Sequence, residues 1–215
     1  MKRSILAAGL LAICPALALA QSPKAATYIT DEQVKAVNAT PGIDRQIVSV
    51  DIGKLNLAVG IVHRGATNAP AAAPAGGAGA APAGGGAAQG EPCGEKAATP
   101  PAGGVPGGIY HDHQTETYIV VSGGGTLVTG GKIVNGRRSA PESAVTKVLN
   151  GPSCSGSIAG SDVVMKAVKP GDIIIIPAGV PHGWTNITDH VDYLSVRPDP
   201  DRVLASDYVN PALKK

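Results

Sequence analysis

Alternation of apolar and polar residues with period two is the dominant pattern along this chain. From Gln46 to Ile52, Val48, Val50 and Ile52 alternate with Ile47, Ser49 and Asp51. From Leu55 to Arg64, Leu55, Leu57, Val59, Ile61 and His63 fall on one face. Successive strand side chains point to opposite faces, so each stretch predicts a half-buried strand, with Gly53-Lys54 as the turn between them. Ahead of them, Thr30-Asp-Glu-Gln33 has the form of a capping box, with Thr30 as N-cap and Gln33 reaching back. It predicts a short helix from Asp31 to about Asn38, stopped by Pro41-Gly42.

The periodicity vanishes between residues 65 and 107. Residues 69 to 90 hold only Ala, Pro and Gly apart from Gln89. Such a segment cannot bury enough surface to offset its ordering entropy. Too little chain precedes it to make a domain, and only β patterns follow. It therefore reads as a long loop inserted into one domain spanning residues 45 to 198. Loop closure costs rise only logarithmically with length, which makes such an insertion tolerable.

Beyond it, the run Ile119 to Val121 ends at Gly123-Gly-Gly125, and short strands are expected at Thr126 to Thr129 and at Lys132 to Val134. Residues 135 to 162, rich in Ser, Gly and Pro, read as irregular. Strand patterns return at Val163 to Val168. Four consecutive isoleucines, Ile173 to Ile176, predict a strand buried on both faces. The stretch Val191 to Arg197 sets Tyr193, Ser195 and Arg197 on one side, and the tail after Pro198 suggests one short helix near Val203 to Tyr208. Many short strands with Gly/Pro turns and almost no helix predict an all-β barrel or jelly roll.

The first twenty residues stand apart from this pattern. A basic Met1-Lys-Arg-Ser, an apolar core from Ile5 to about Leu19 and Ala18-Leu-Ala20 before Gln21 have the form of a Sec-type signal peptide. The expected location is therefore periplasmic or secreted, with no integral span left in the mature chain. Without Lys2 and Arg3, sixteen basic residues face sixteen acidic ones. That balance excludes the basic footprint of a nucleic-acid binder. Two cysteines remain, Cys93 and Cys154, and export permits them one disulfide, with two free thiols as the alternative.

Chemistry concentrates in two places. In His111-Asp-His113-Gln-Thr-Glu116 the two histidines stand two apart, so a strand would aim both imidazoles at one point. Glu116, across a tight turn, could join them. Two imidazoles and a carboxylate suit Zn, Mn, Fe, Cu or Ni. The second place is Gly171 to Asn186, where a Pro-Ala-Gly-Val-Pro turn presents His182.

The pattern Gly171-x5-Pro177-x-Gly179-x2-His182-x3-Asn186 resembles the second sequence motif of the cupin superfamily at every position. His111-x-His113, Glu116 and Gly123 resemble its first motif. Two departures are visible. Only Gln114 and Thr115 separate His113 from Glu116, where the family has three or four residues, and Val105 stands where a glycine is usual. The resemblance implies a double-stranded β-helix, or jelly-roll, barrel holding one divalent transition metal on His111, His113, Glu116 and His182. The tight turn leaves Gln114 or water as the alternative to Glu116. A homodimer formed through barrel strands is a further implication.

Other residues carry weaker readings. Tyr118 shares the face of Glu116 and is either a catalytic, pocket-lining residue or a core tyrosine. Arg197 offers either a bidentate grip on a substrate carboxylate or a strand-end ion pair. Trp184 walls the pocket or packs beside His182, His63 points to the barrel mouth or is a surface or packed histidine, and His190 reads as solvated in a polar turn. The expected function is a metal-dependent enzyme, an oxygenase or a lyase or isomerase, acting on a small oxygenated molecule. Fe(II) oxidises readily outside the cytoplasm, which favours Mn, Zn or Cu. The alternatives are a binding protein that holds a small ligand or metal without turnover, and a structural module of the cell envelope; fold alone does not choose among them.

Overall fold

A computed structural model describes residues 25–67, 90–99 and 103–214 of the chain. The expected signal peptide and most of the Ala/Gly/Pro insertion lie outside these residues. The helix α1 spans Asp31–Asn38 and carries the full capping box, Thr30 accepting from Gln33 N–H and Gln33 from Thr30 N–H. Twelve strands follow among the described residues. They are β1 (Asp44–Asp51), β2 (Asn56–Gly65), β3 (Pro92–Cys93), β4 (Val105–His111), β5 (Glu116–Gly123) and β6 (Gly125–Thr129). Then come β7 (Lys132–Arg138), β8 (Ser153–Ala159), β9 (Val164–Val168), β10 (Ile173–Ile176), β11 (His182–Thr185) and β12 (His190–Asp199). No helix among the described residues is long and apolar enough to cross a membrane.

The strands form two antiparallel sheets of a jelly roll, ordered β1-β2-β12-β5-β10 and β3-β7-β8-β4-β11-β6-β9. The alternation seen in the sequence is what closes the interior. Along β12 every second residue, from Val191 to Asp199, is buried. Val191 and Tyr193 join Tyr118, Val120, Leu127 and Trp184 in the main core. Trp184 stacks on Tyr193 at 5.3 Å and Tyr193 lies 4.2 Å from Tyr118, so an aromatic column fills the barrel. The outer face of β1 and β2 is covered by α1, where Val37 packs on Ile47 and Ile61.

Four expectations are corrected. Residues 135–162 are not wholly irregular, since β7 reaches Arg138 and β8 occupies Ser153–Ala159. A Cβ on Gly156 would meet Ile133 at 2.7 Å and Gly136 at 2.9 Å, so β8 packs closely through small residues that carry no hydrophobic period. The inserted loop is shorter than residues 65–107, because β3 and the start of β4 fall inside that range. The four isoleucines are not buried on both faces: β10 is an edge strand, with Ile173 65% and Ile175 69% exposed and only Ile176 fully inside. The tail forms no helix at Val203 to Tyr208. It lies against β1 through a Val48–Val209 bridge and the Asn210 amide on Gln46 O (2.6 Å), and ends in a 3-10 turn at Pro211–Leu213. The expected disulfide is present: Cys93 and Cys154 join β3 to β8 across 61 residues of sequence.

Candidate metal centre

One sheet contributes two imidazoles and the other a carboxylate. β4 ends at His111, β11 begins at His182 one strand away, and β5 begins at Glu116 on the opposite sheet. The Pro177 to Val180 turn is pinned to β4 by a hydrogen bond from Gly179 N–H to His111 O (2.8 Å). Gly179 has φ +79°, a left-handed conformation in which a side chain is strained. The two histidines are thereby set in register.

Their Nε2 atoms each lie 3.2 Å from Glu116 Oε2, and all three side chains are nearly sealed from solvent. Donor atoms held by a cation at bond lengths of about 2.0–2.1 Å in a tetrahedron stand roughly 3.3–3.4 Å apart. The two His–Glu spacings are close to the edges of such a shell.

The proton positions point the same way. His182 Nδ1 lies 3.0 Å from Val180 O, a carbonyl that can only accept. Ser153 Oγ donates to Gly151 O (2.9 Å), so at 2.8 Å it accepts from His111 Nδ1. Both rings therefore carry their proton on Nδ1, and in the neutral rings both Nε2 lone pairs face the carboxylate. Burial pushes the His111 pKa down, which favours that neutral form. The donor atoms of two imidazoles and one carboxylate thus lie within 4.8 Å of one another, a group that could hold a divalent cation.

Four further donors reach the Glu116 carboxylate. Ser195 Oγ (2.9 Å), Arg197 Nε (2.8 Å) and Asn150 Nδ2 (3.1 Å) reach Oε1, and the Tyr118 hydroxyl (2.8 Å) reaches Oε2. Burial alone would raise the Glu116 carboxyl, but the Arg197 charge, with His111 and His182 beside it, outweighs it and holds it well below the usual carboxylate range. Burial and then the Glu116 charge push the Tyr118 phenol well up, so it stays a protonated donor.

The structure brings His111, Glu116 and His182 together and leaves His113 out. β4 ends at His111, the chain bends at Asp112 and His113, and strand alternation stops there. Asp112 is drawn aside by Arg138 (2.7 Å) and by its own N–H on Pro152 O (2.9 Å). The His113 ring, 56% exposed, faces Asp201 at 3.3 Å. Accordingly, His113→Ala should bind as much metal as the unaltered chain when both are measured by elemental analysis. Gln114 is buried but backs onto the carbonyls of Leu149 and Asn150 (3.3 Å each), in the amide orientation that satisfies both its polar atoms.

Tyr118 lies at the cluster, on Glu116 Oε2. Arg197 is also there, yet not as a substrate grip. Its guanidinium is 1% exposed and spent on Glu116, Ser195, Gln46 (3.0 Å) and Asp44 (2.6 Å). It holds the carboxylate in place. His63 and His190 lie on the outside, paired with Asp192 and Asp189. Two residues at the centre, Asn150 and Ser153, escaped the reading of the sequence. The Asn150-Gly-Pro152 breaker before Ser153 is the one local signal, and it marks a turn, not a ligand.

The family model described as "Cupin" matches residues 99–215. No curated protein matches the chain in sequence. Among solved structures it is similar to an uncharacterized conserved protein with a double-stranded β-helix domain from Klebsiella pneumoniae, at 15% identity and TM-score 0.39, covering 82% of this chain and 93% of the other. It is also similar to a Bacillus halodurans protein, BH2720, at 12% identity and TM-score 0.38, covering 89% and 93%. A cupin protein from Bacteroides fragilis is similar at 11% identity and TM-score 0.30, covering 74% and 78%. With a family match over more than half its length and a jelly roll of two antiparallel sheets, the chain belongs to the cupin family.

Proposed function

We propose that this protein is an exported cupin that binds one divalent transition metal through His111, Glu116 and His182 and uses it on a small oxygenated molecule, as an oxygenase or as a lyase or isomerase. The observation that carries the metal is the meeting of two Nε2 lone pairs and a carboxylate oxygen at 3.2 Å, with both imidazole protons committed elsewhere. The metal would supply Lewis acidity, polarising an oxygen of the bound molecule. The protein's part is to fix the ligands. Val180 O and Ser153 orient the rings, and Arg197, Ser195 and Tyr118 hold the carboxylate. Export is supported by the form of the first twenty residues and by the Cys93–Cys154 disulfide, a bond that persists in oxidising compartments.

A second reading is a cupin that holds its metal without turnover. It is favoured by the burial of the three ligands, 4%, 1% and 4% exposed, since closed metal sites are typically structural.

Elemental analysis tests the metal. The purified chain should carry one equivalent and a His111→Ala/His182→Ala double variant almost none; equal loading would refute the site. Oxygen uptake and product analysis with phenolic, sugar and carboxylic acid candidates then separate the readings. Uptake identifies an oxygenase, product without uptake a lyase or isomerase, and binding without product the second reading.

A further inference from the structure

The three ligands leave the fourth corner of a tetrahedron to be filled, and one side chain already stands at that spacing from one of them, His111. Asn150 follows a single π-helical turn, Val145–Leu149, and its N–H closes that turn on Val145 O (2.8 Å). Such turns are rare and frequently mark functional sites. The residue is 5% exposed, and its carboxamide nitrogen lies 3.2 Å from His111 Nε2 and 3.1 Å from Glu116 Oε1. The first distance equals the separation of the ligand atoms themselves.

In this arrangement the amide donates to the His111 lone pair. A cation needs that same lone pair. Once His111 Nε2 binds a metal, the Asn150 N–H loses its acceptor there and its positive end faces a positive charge. Turning the amide over about its last torsion reverses the dipole and offers Oδ1 to the cation. Amide oxygens ligate divalent metals readily. The exchange is cheap at the other end, because Glu116 Oε1 keeps Ser195 and Arg197 as donors when Asn150 lets go.

We propose that Asn150 is the fourth protein ligand of the metal, taking the place that His113 does not fill, through a carboxamide that turns over on metal entry. The inference rests on the metal site assigned above. It makes the loop between β7 and β8 part of the metal shell, so that the metal ties this loop across the end of the barrel.

Co(II) titration of the full chain tests it, following visible absorption, which responds to coordination number and donor type, together with Kd by competition. Asn150→Ala should weaken Co(II) about tenfold or more, by analogy with the loss of other groups around a metal, and alter the spectrum. Asn150→Asp, similar in shape but anionic, should bind Co(II) at least as tightly as the unaltered chain. A role as mere donor to Glu116 predicts the opposite, because a second carboxylate beside Oε1 would weaken binding below that of Asn150→Ala. That result would overturn the proposal, as would Asn150→Ala with unchanged Kd and spectrum. The His111→Ala/His182→Ala variant is the separate control: if it binds Co(II) like the parent, the metal site itself is wrong. Far-UV circular dichroism of each variant shows that it is folded, and the Asn150→Asp arm keeps the test decisive if Asn150→Ala is not.

Discussion

Replacing Arg197 with methionine should destabilise the metal-free protein by about 3–5 kcal/mol, the usual cost of removing one partner from a buried ion pair. At this chain length each kcal/mol lowers the melting temperature by roughly 2–4 °C, so a fall of about 10 °C is expected. The guanidinium sits between two carboxylates, with Nε on Glu116 and Nη2 on Asp44. Asp44 Oδ1 already has no hydrogen-bond partner, so the bond from Arg197 to Oδ2 is the one whose loss leaves the Asp44 carboxylate without a side-chain donor among the described residues. Glu116→Gln should cost less, because Arg197 then keeps Asp44 and Gln46. Thermal denaturation of both variants without metal checks the order. A fall smaller for Arg197→Met than for Glu116→Gln would show that the ion pair is not the support described.

The second large effect is expected at the disulfide. A Cys93→Ala/Cys154→Ala variant should lose about 4 kcal/mol, the chain-entropy value for a closed loop of this length. Urea denaturation measures it, and reductant added to the unaltered chain should reproduce the shift. The bond also bears on chemistry. Cys154 follows Ser153, which accepts the His111 Nδ1 proton, and β4 pairs with β8 at His111–Ser153 and Tyr110–Cys154. Reduction should therefore weaken metal binding along with the fold, whereas a variant altered only at an outer strand would lose stability alone.

Much of the fold was legible because period two survives wherever one face of a strand is buried. β12 shows it, and Tyr193, Ser195 and Arg197 do share the inner face. In β1 and β2 the alternation holds but the face is reversed. Ile47, Ser49 and Asp51 are buried in place of Val48, Val50 and Ile52, and Asn56, Ala58 and Val62 in place of Leu57 and Val59. Legibility failed where another factor set the packing. β8 consists largely of Ser, Gly and Cys, and its place is set by close approach at Gly136 and Gly156, which leaves no hydrophobic period. β10 shows the reverse: a solid apolar run suggested two buried faces, yet with only β5 beside it Ile173 and Ile175 remain outside. At the site, spacing located His182 and Glu116 because rigid turns deliver them. It misplaced His113 because i and i+2 share a face only while the strand lasts, and β4 stops at His111. Asn150 was hidden altogether, since a lone asparagine between elements has no pattern to betray it.

The place of β12 has a consequence for how the molecule is made. It is the last strand of the described chain, yet it occupies the middle of its sheet, between β2 and β5. Synthesis proceeds from the amino terminus, so the inner faces of β2 and β5 exist before the strand that must join them. Contacts so distant in sequence close slowly. Until β12 inserts, Glu116 lacks both Ser195 and Arg197, and the carboxylate has neither of the strand's donors. The metal end of this barrel is thus complete only once β12 has joined β2 to β5.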